Sequence, residues 1–113
     1  MCRGFPYICP LALLPPGLDL EWVITGEPII ACVAPGETVN FVWDGPWHNV
    51  VDLGEDMQAW EDCAINEDQM EGVEGPWSTT LPNEGMFHYV CGVLAHCSEG
   101  MQKAMITVSA DCP

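Results

Sequence analysis

Along Thr38-Val-Asn-Phe-Val-Trp43 the polar and apolar positions nearly alternate, the period of a strand with one buried face. Similar short apolar, β-branched or aromatic runs recur at 20–25, 28–33, 47–53, 77–81, 86–91 and 102–109. Turn chemistry separates them: Gly26-Glu27-Pro28, Ala34-Pro35-Gly36-Glu37, Asp44-Gly45-Pro46 and Pro82-Asn83-Glu84-Gly85. Within 86–91, Phe87, Tyr89 and Cys91 fall on one face, and His88 falls on the other as a structural residue. Only 55–61 suits a helix, with Met57 and Trp60 three apart on one side. Residues 61–76 are acidic and glycine-containing and read as a loop. Short strands, frequent turns and one short helix predict an all-β sandwich or barrel.

A chain of 113 residues is one domain. Its character changes near Leu20. Residues 1–19 are proline-rich and read as an N-terminal arm packed on a domain of residues 20–113. The apolar stretch 5–14 is broken by Pro6 and Pro10, and no run reaches the roughly 20 apolar residues of a bilayer span. Arg3 alone gives this start a weak signal-like charge, and no clear small-residue cleavage site follows. The segment is therefore expected to belong to the folded chain.

Seventeen acidic residues against two basic ones give a net charge of −15. Nucleic acid would be repelled, and anionic membrane surfaces are disfavoured. A partner protein with a basic docking surface fits, as does simple solubility outside the cell. Seven cysteines point to an oxidising, extracytoplasmic compartment. Their odd number leaves one thiol over.

That thiol has an evident use. Cys91-Gly-Val-Leu-Ala-His96-Cys-Ser-Glu-Gly-Met101 sets a thiolate, an imidazole and a thioether in one loop. Trp47-His48-Asn49-Val50 brings a second histidine in apolar surroundings. Two imidazoles, a thiolate and a weak thioether are the donor set of a blue copper centre, in which soft sulfur favours Cu(I) and imidazole suits both oxidation states. Strands at both ends of the loop can hold its donors around one point, with Gly92 and Gly100 expected to supply sharp turns. The Asn49 amide can join the two ligand segments near Cys91. Zinc or an empty site is the competing reading, against which Met101 is a poor fourth zinc ligand.

At these residues the chain resembles the cupredoxins, and among them the phytocyanins (stellacyanins, plantacyanins and uclacyanins). The resemblance lies in Pro35-Gly-Glu-Thr-Val-Asn-Phe-Val-Trp43, His48-Asn-Val-Val51, Gln58-Ala-Trp-Glu-Asp-Cys63 and Tyr89–Met101, and spans about residues 20–110. It implies a Greek-key β-sandwich of about seven to eight strands with one type 1 copper. The implied ligands are His48, Cys91 and His96, with Met101 axial. It also implies a Cys63–Cys97 bridge beside the metal. Stellacyanins carry glutamine at the axial position. Gln102 follows Met101 here, and the family spacing from His96 favours Met101. Cys2, Cys9, Cys32 and Cys112 are additions to the pattern. Cys32–Cys112 and Cys2–Cys9 are the expected pairs, the first joining the strand before Pro35 to the end of the last strand.

The resulting expectation is a small, monomeric one-electron carrier. Its electrons would pass at the solvent edge of His96, with Pro46, Trp47, Val93 and Leu94 as an apolar docking patch. An alternative is an extracellular copper-binding or cell-surface module whose redox cycling is incidental. An enzyme is disfavoured. Three histidines, two of them ligands, cannot build the further centres of a multicopper oxidase, and four protein donors leave no open position for substrate.

Overall fold

The computed structural model describes residues 17–65, 70–72 and 75–112. Among them are eight strands in two sheets, with one short helix. The strands are β1 (Leu18–Glu21), β2 (Ile29–Val33), β3 (Glu37–Val42), β4 (Val50–Gly54), β5 (Met70–Gly72), β6 (Trp77–Leu81), β7 (Gly85–Val90) and β8 (Lys103–Val108). The helix, α1, spans Met57–Glu61. One sheet has the order β1-β3-β6, the other β2-β8-β7-β4-β5. β1 runs parallel to β3, and β2 to β8; the remaining pairs are antiparallel. This is the β-sandwich the alternating pattern predicts.

Apolar residues from both sheets meet between them. Val39 and Phe41 of β3 face Tyr89 of β7 and Ala104, Ile106 and Val108 of β8, with Trp22 among them. Phe41 sits at the centre of an aromatic group. Its ring lies 5.0 Å from Trp22, 5.1 Å from Tyr89 and 5.6 Å from Trp77. Edge and tilted contacts of this kind add to the gain from burial itself.

The larger sheet is also covered on its outer face. Val51, Leu53, Val90 and Cys97 pack there with Trp60 of α1. β7 is therefore buried on both sides, which explains why His88 is 1 % exposed. The His88 Nδ1 lies 2.8 Å from the Gly54 carbonyl, and its ring stacks obliquely on Trp60. Asp56 caps α1, its Oδ1 accepting from the Ala59 N–H at 3.0 Å. Met57 does not share the burial of Trp60; it lies exposed on the helix.

Several boundaries differ from the sequence expectation. The first strand is set earlier, at Leu18–Glu21, by its pairing with β3. Leu18 and Asp19 thus lie in a strand, while the rest of the expected arm up to residue 16, including Cys2 and Cys9, falls outside the described residues. The run expected from Trp47 becomes a strand only at Val50. β5 lies in the expected loop: Met70 pairs with Val51, and Gly72 with Val50. That strand exists through backbone hydrogen bonds to a sheet edge, which an acidic, glycine-containing sequence does not advertise.

Disulfides join Cys32 to Cys112 and Cys63 to Cys97. The first ties β2 to the end of the chain across a sequence separation of 80. Replacing both of its cysteines by serine should cost about 2–5 kcal/mol. Phe41→Ala should cost about 3–5 kcal/mol, because neighbouring rings only partly fill the space. Equilibrium urea unfolding of both variants checks these values.

Candidate metal centre

The site is built where β4 begins and β7 ends. Gly45, at φ 72°, turns the chain ahead of His48, leaving Pro46 and Trp47 on the surface. Asn49 then anchors the segment. Its backbone carbonyl accepts from Trp22 Nε1–H at 2.8 Å, tying it to the central core. Its side-chain Oδ1 accepts from the Gly92 N–H at 2.6 Å. Its Nδ2 points at Met70 Sδ, 3.6 Å away. Asn49 is itself only 8 % exposed, so each of these groups would be costly to leave unpaired.

Cys91 follows β7 and prolongs its ladder, donating its N–H to the Gln102 carbonyl at 2.9 Å. The chain between them is wound into tight turns. Glu99 N–H donates to the Ala95 carbonyl, Met101 N–H to Cys97 and Gln102 N–H to His96. The left-handed positions in this loop are Leu94, at φ 45°, and Met101, at φ 56°. Gly92 and Gly100, expected to turn the chain, have no positive φ. They are required for close approach instead. A Cβ on Gly92 would stand 2.9 Å from Val51 Cγ2 and 3.1 Å from Asn49 Oδ1; one on Gly100 would meet the His96 carbonyl and Ile24. The Cys63–Cys97 bridge clamps the loop directly after His96.

These constraints bring three donor atoms together. His48 Nδ1 and His96 Nδ1 are 3.2 Å apart. Cys91 Sγ lies 3.5 Å from His96 Nδ1 and 3.9 Å from His48 Nδ1. A point equidistant from all three is about 2 Å from each, close to metal–imidazole bond length. Among the described residues they form a group able to hold a metal ion, and Cys91 is the one cysteine left free. The donor set and its spacing therefore fit a soft, four- or three-coordinate ion.

Burial shapes the electrostatics. It pushes the fully buried Cys91 thiol up, while the backbone N–H groups of Asn49 and Val93 act in the other direction. The His48 imidazole is pushed down, first by burial and then by the His96 ring, against the effect of the Gln102 side chain. His48 is thus ready as a neutral ligand, whereas Cys91 must lose a proton.

The remaining expected residues are placed as follows. Trp47 is 70 % and Leu94 91 % exposed, and Pro46 is exposed beside Trp47. Val93 packs against the central core, so it lies beneath the surface that the other three present. Met101 is partly buried at the loop's end. Trp22 and Met70, which hold Asn49, were not anticipated. An indole at the end of β1 gives no local sign of its partner 27 residues away, and Met70 belongs to the unexpected strand β5.

A family model described as a plastocyanin-like domain matches residues 33–101. Among solved structures, cucumber stellacyanin with Cu2+ at pH 7.0 aligns at 25% identity and a TM-score of 0.64, over 83% of this chain and 97% of that one. Spinach plantacyanin aligns at 18% identity and a TM-score of 0.62, over 80% and 97%. The cucumber basic protein, a blue copper protein, aligns at 21% identity and a TM-score of 0.56, over 79% and 84%. The latter two show a shared fold. No curated protein sequence matches the chain.

Asn49→Ala should cost about 1–3 kcal/mol in urea unfolding of the metal-free protein, because the Gly92 N–H loses its acceptor. The same variant should bind metal about 10–100-fold more weakly. Metal uptake at neutral pH should release the Cys91 proton and none from His48. Raising pH toward the elevated thiol pKa should therefore strengthen binding, and acid should weaken it. Calorimetric Co(II) titrations in buffers of different ionisation enthalpy measure the protons released.

Proposed function

We propose, for a chain that belongs to the plastocyanin-like domain family, that it is a type 1 copper protein carrying one electron at a time between partner proteins. The observation that carries this reading is the convergence of Cys91 Sγ with the Nδ1 atoms of His48 and His96. A buried thiolate and two imidazoles are the strong donors of such a centre. The likeness to a copper-containing stellacyanin supports it. The weak fourth donor comes from the loop's end, where spacing from His96 points to Met101.

Copper bound there supplies a Cu(I)/Cu(II) couple. The protein's own residues hold that couple ready. Asn49 keeps the His48 segment against the Cys91 segment, and the Cys63–Cys97 bridge limits movement of His96. A donor set fixed by the fold changes little between oxidation states, which favours rapid exchange. Sulfur buried behind β-sheet excludes water, while the half-buried imidazoles reach the surface.

Exposed Pro46, Trp47 and Leu94, with Val93 supporting them from below, make an apolar contact surface beside the histidines. The acidic surface around the domain would steer a basic partner toward it. The disulfides support an extracytoplasmic place of work. We further read the protein as a monomer and not an enzyme, because the site is filled by its own side chains.

Adding Cu(II) should give an intense blue thiolate-to-copper band and narrow copper hyperfine splitting in EPR, both lost in Cys91→Ser. A colourless protein, or a band indifferent to Cys91, would overturn the copper assignment. Stopped-flow exchange with a cationic redox complex should be fast and slow down as salt is added. Sluggish exchange would instead favour a copper-holding surface module.

A further inference from the structure

We propose that residues 1–16 lie as a strap across the outer face of the smaller sheet, with Arg3 held by the Asp19 and Glu21 carboxylates. Strand pairing defines that face. Asp19 stands opposite Asn40, Asn40 opposite Ser78, Glu21 opposite Val42 and Thr38 opposite Thr80. All alternate with Val39 and Phe41, which point into the core, and so point outward. The polar side chains satisfy one another. Asn40 Nδ2–H donates to Asp19 Oδ1 at 2.7 Å, and the Ser78 hydroxyl to Asn40 Oδ1 at 2.5 Å. The Thr38 and Thr80 hydroxyls are 2.9 Å apart.

Burial is the first ground. Asn40 is 0 % exposed although it faces outward. Its cross-strand neighbours stand beside it and do not roof it; Asp19 is itself exposed and Ser78 half-buried. The helix α1 lies on the other sheet. A further segment must therefore cover Asn40. The outer face of the larger sheet gives no such sign toward β2, where Ile30 is 61 % and Met86 39 % exposed.

Charge and reach name the cover. Residues 1–16 carry Arg3 and no acidic residue, whereas all seventeen acidic residues lie from Asp19 onward. Lys103, the other basic residue, is turned inward onto Trp60, which leaves Arg3 to meet outward carboxylates. Asp19 and Glu21 line one groove with Leu20 and Val42. Phe5, Tyr7, Ile8, Leu11, Leu13 and Leu14 give the segment apolar surface that gains from contact. It joins the sheet at the edge of this face, because Gly17 is pressed against the start of β3, where a Cβ would collide with the Thr38 carbonyl. Sixteen extended residues reach about 50 Å, against three strands about 4.8 Å apart. Pro6, Pro10, Pro15 and Pro16 withhold backbone donors, which suits a strap over a face better than another strand at its edge. In the proposed carrier role, this strap would close an acidic face to a basic partner and leave it the surface beside the histidines.

The experiment is NMR on the intact chain with its disulfides formed. Nuclear Overhauser contacts should join methyls of Leu11, Leu13 or Leu14 to those of Thr38 or Val42, a test that needs no variant to fold. The Asn40 side-chain amide should be shielded from a soluble gadolinium chelate. Its relaxation by the chelate should rise severalfold in Arg3→Glu and match wild type in Arg3→Lys, which keeps the charge. Contacts to Ile30 or Met86 instead would overturn the inference. So would contacts seen only between differently labelled copies, which would mean that the arm is exchanged, or an Asn40 amide no more open in Arg3→Glu than in wild type.

Discussion

One hydrogen bond, from the Gly92 N–H to Asn49 Oδ1, joins the two halves of the site. His48 enters on the approach to β4, whereas Cys91 and His96 arrive after β7. Nothing in the chain makes these segments neighbours except the sheet, and the sheet alone leaves their ends free to splay. Asn49 closes that gap. Its backbone carbonyl holds Trp22 of the core, and its side chain holds the ligand loop. The absent side chain at Gly92 is the other half of the same contact, since a Cβ there would crowd both Asn49 and Val51. Donor placement is in this way referred back to the best-packed part of the molecule.

The second apolar layer gives the same site its rigidity from behind. Trp60, Val51, Leu53 and Val90 cover the outer face of the larger sheet, and Cys97 reaches into that layer from the ligand loop. Its bridge to Cys63 then fixes the loop to the turn after α1. Lys103 completes this layer. Its ammonium donates to the Trp60 carbonyl at 3.0 Å and lies 4.6 Å from the centre of the Trp60 ring. A charge turned inward is tolerated because a carbonyl and an aromatic face replace its water.

Much of this was legible in the residues. Period-two alternation in Thr38–Trp43 and in Met86–Cys91 gave the two facing sheets their inner surfaces, because a strand shows which face it buries. The odd cysteine and the spacing of Cys91, His96 and His48 pointed to one shared site. What stayed hidden depends on pairing between distant segments. β5 is a strand only because the edge of β4 is open to it, and Met70 comes with it. Trp22 finds Asn49 only after the sandwich closes. Gly92 and Gly100 looked like turn residues, yet close contact is what demands them.

The inward turn of Lys103 bears on how copies of this protein meet one another. Only two basic residues stand against seventeen acidic ones, and this one is withdrawn beneath the surface. Two copies approaching each other therefore meet fields of the same sign, with little exposed positive charge to bridge them. In the proposed carrier role, electron self-exchange between copies would be the encounter that added salt speeds, because salt screens the repulsion. In that role, the same repulsion would favour passing the electron to a surface of opposite sign over passing it to another copy.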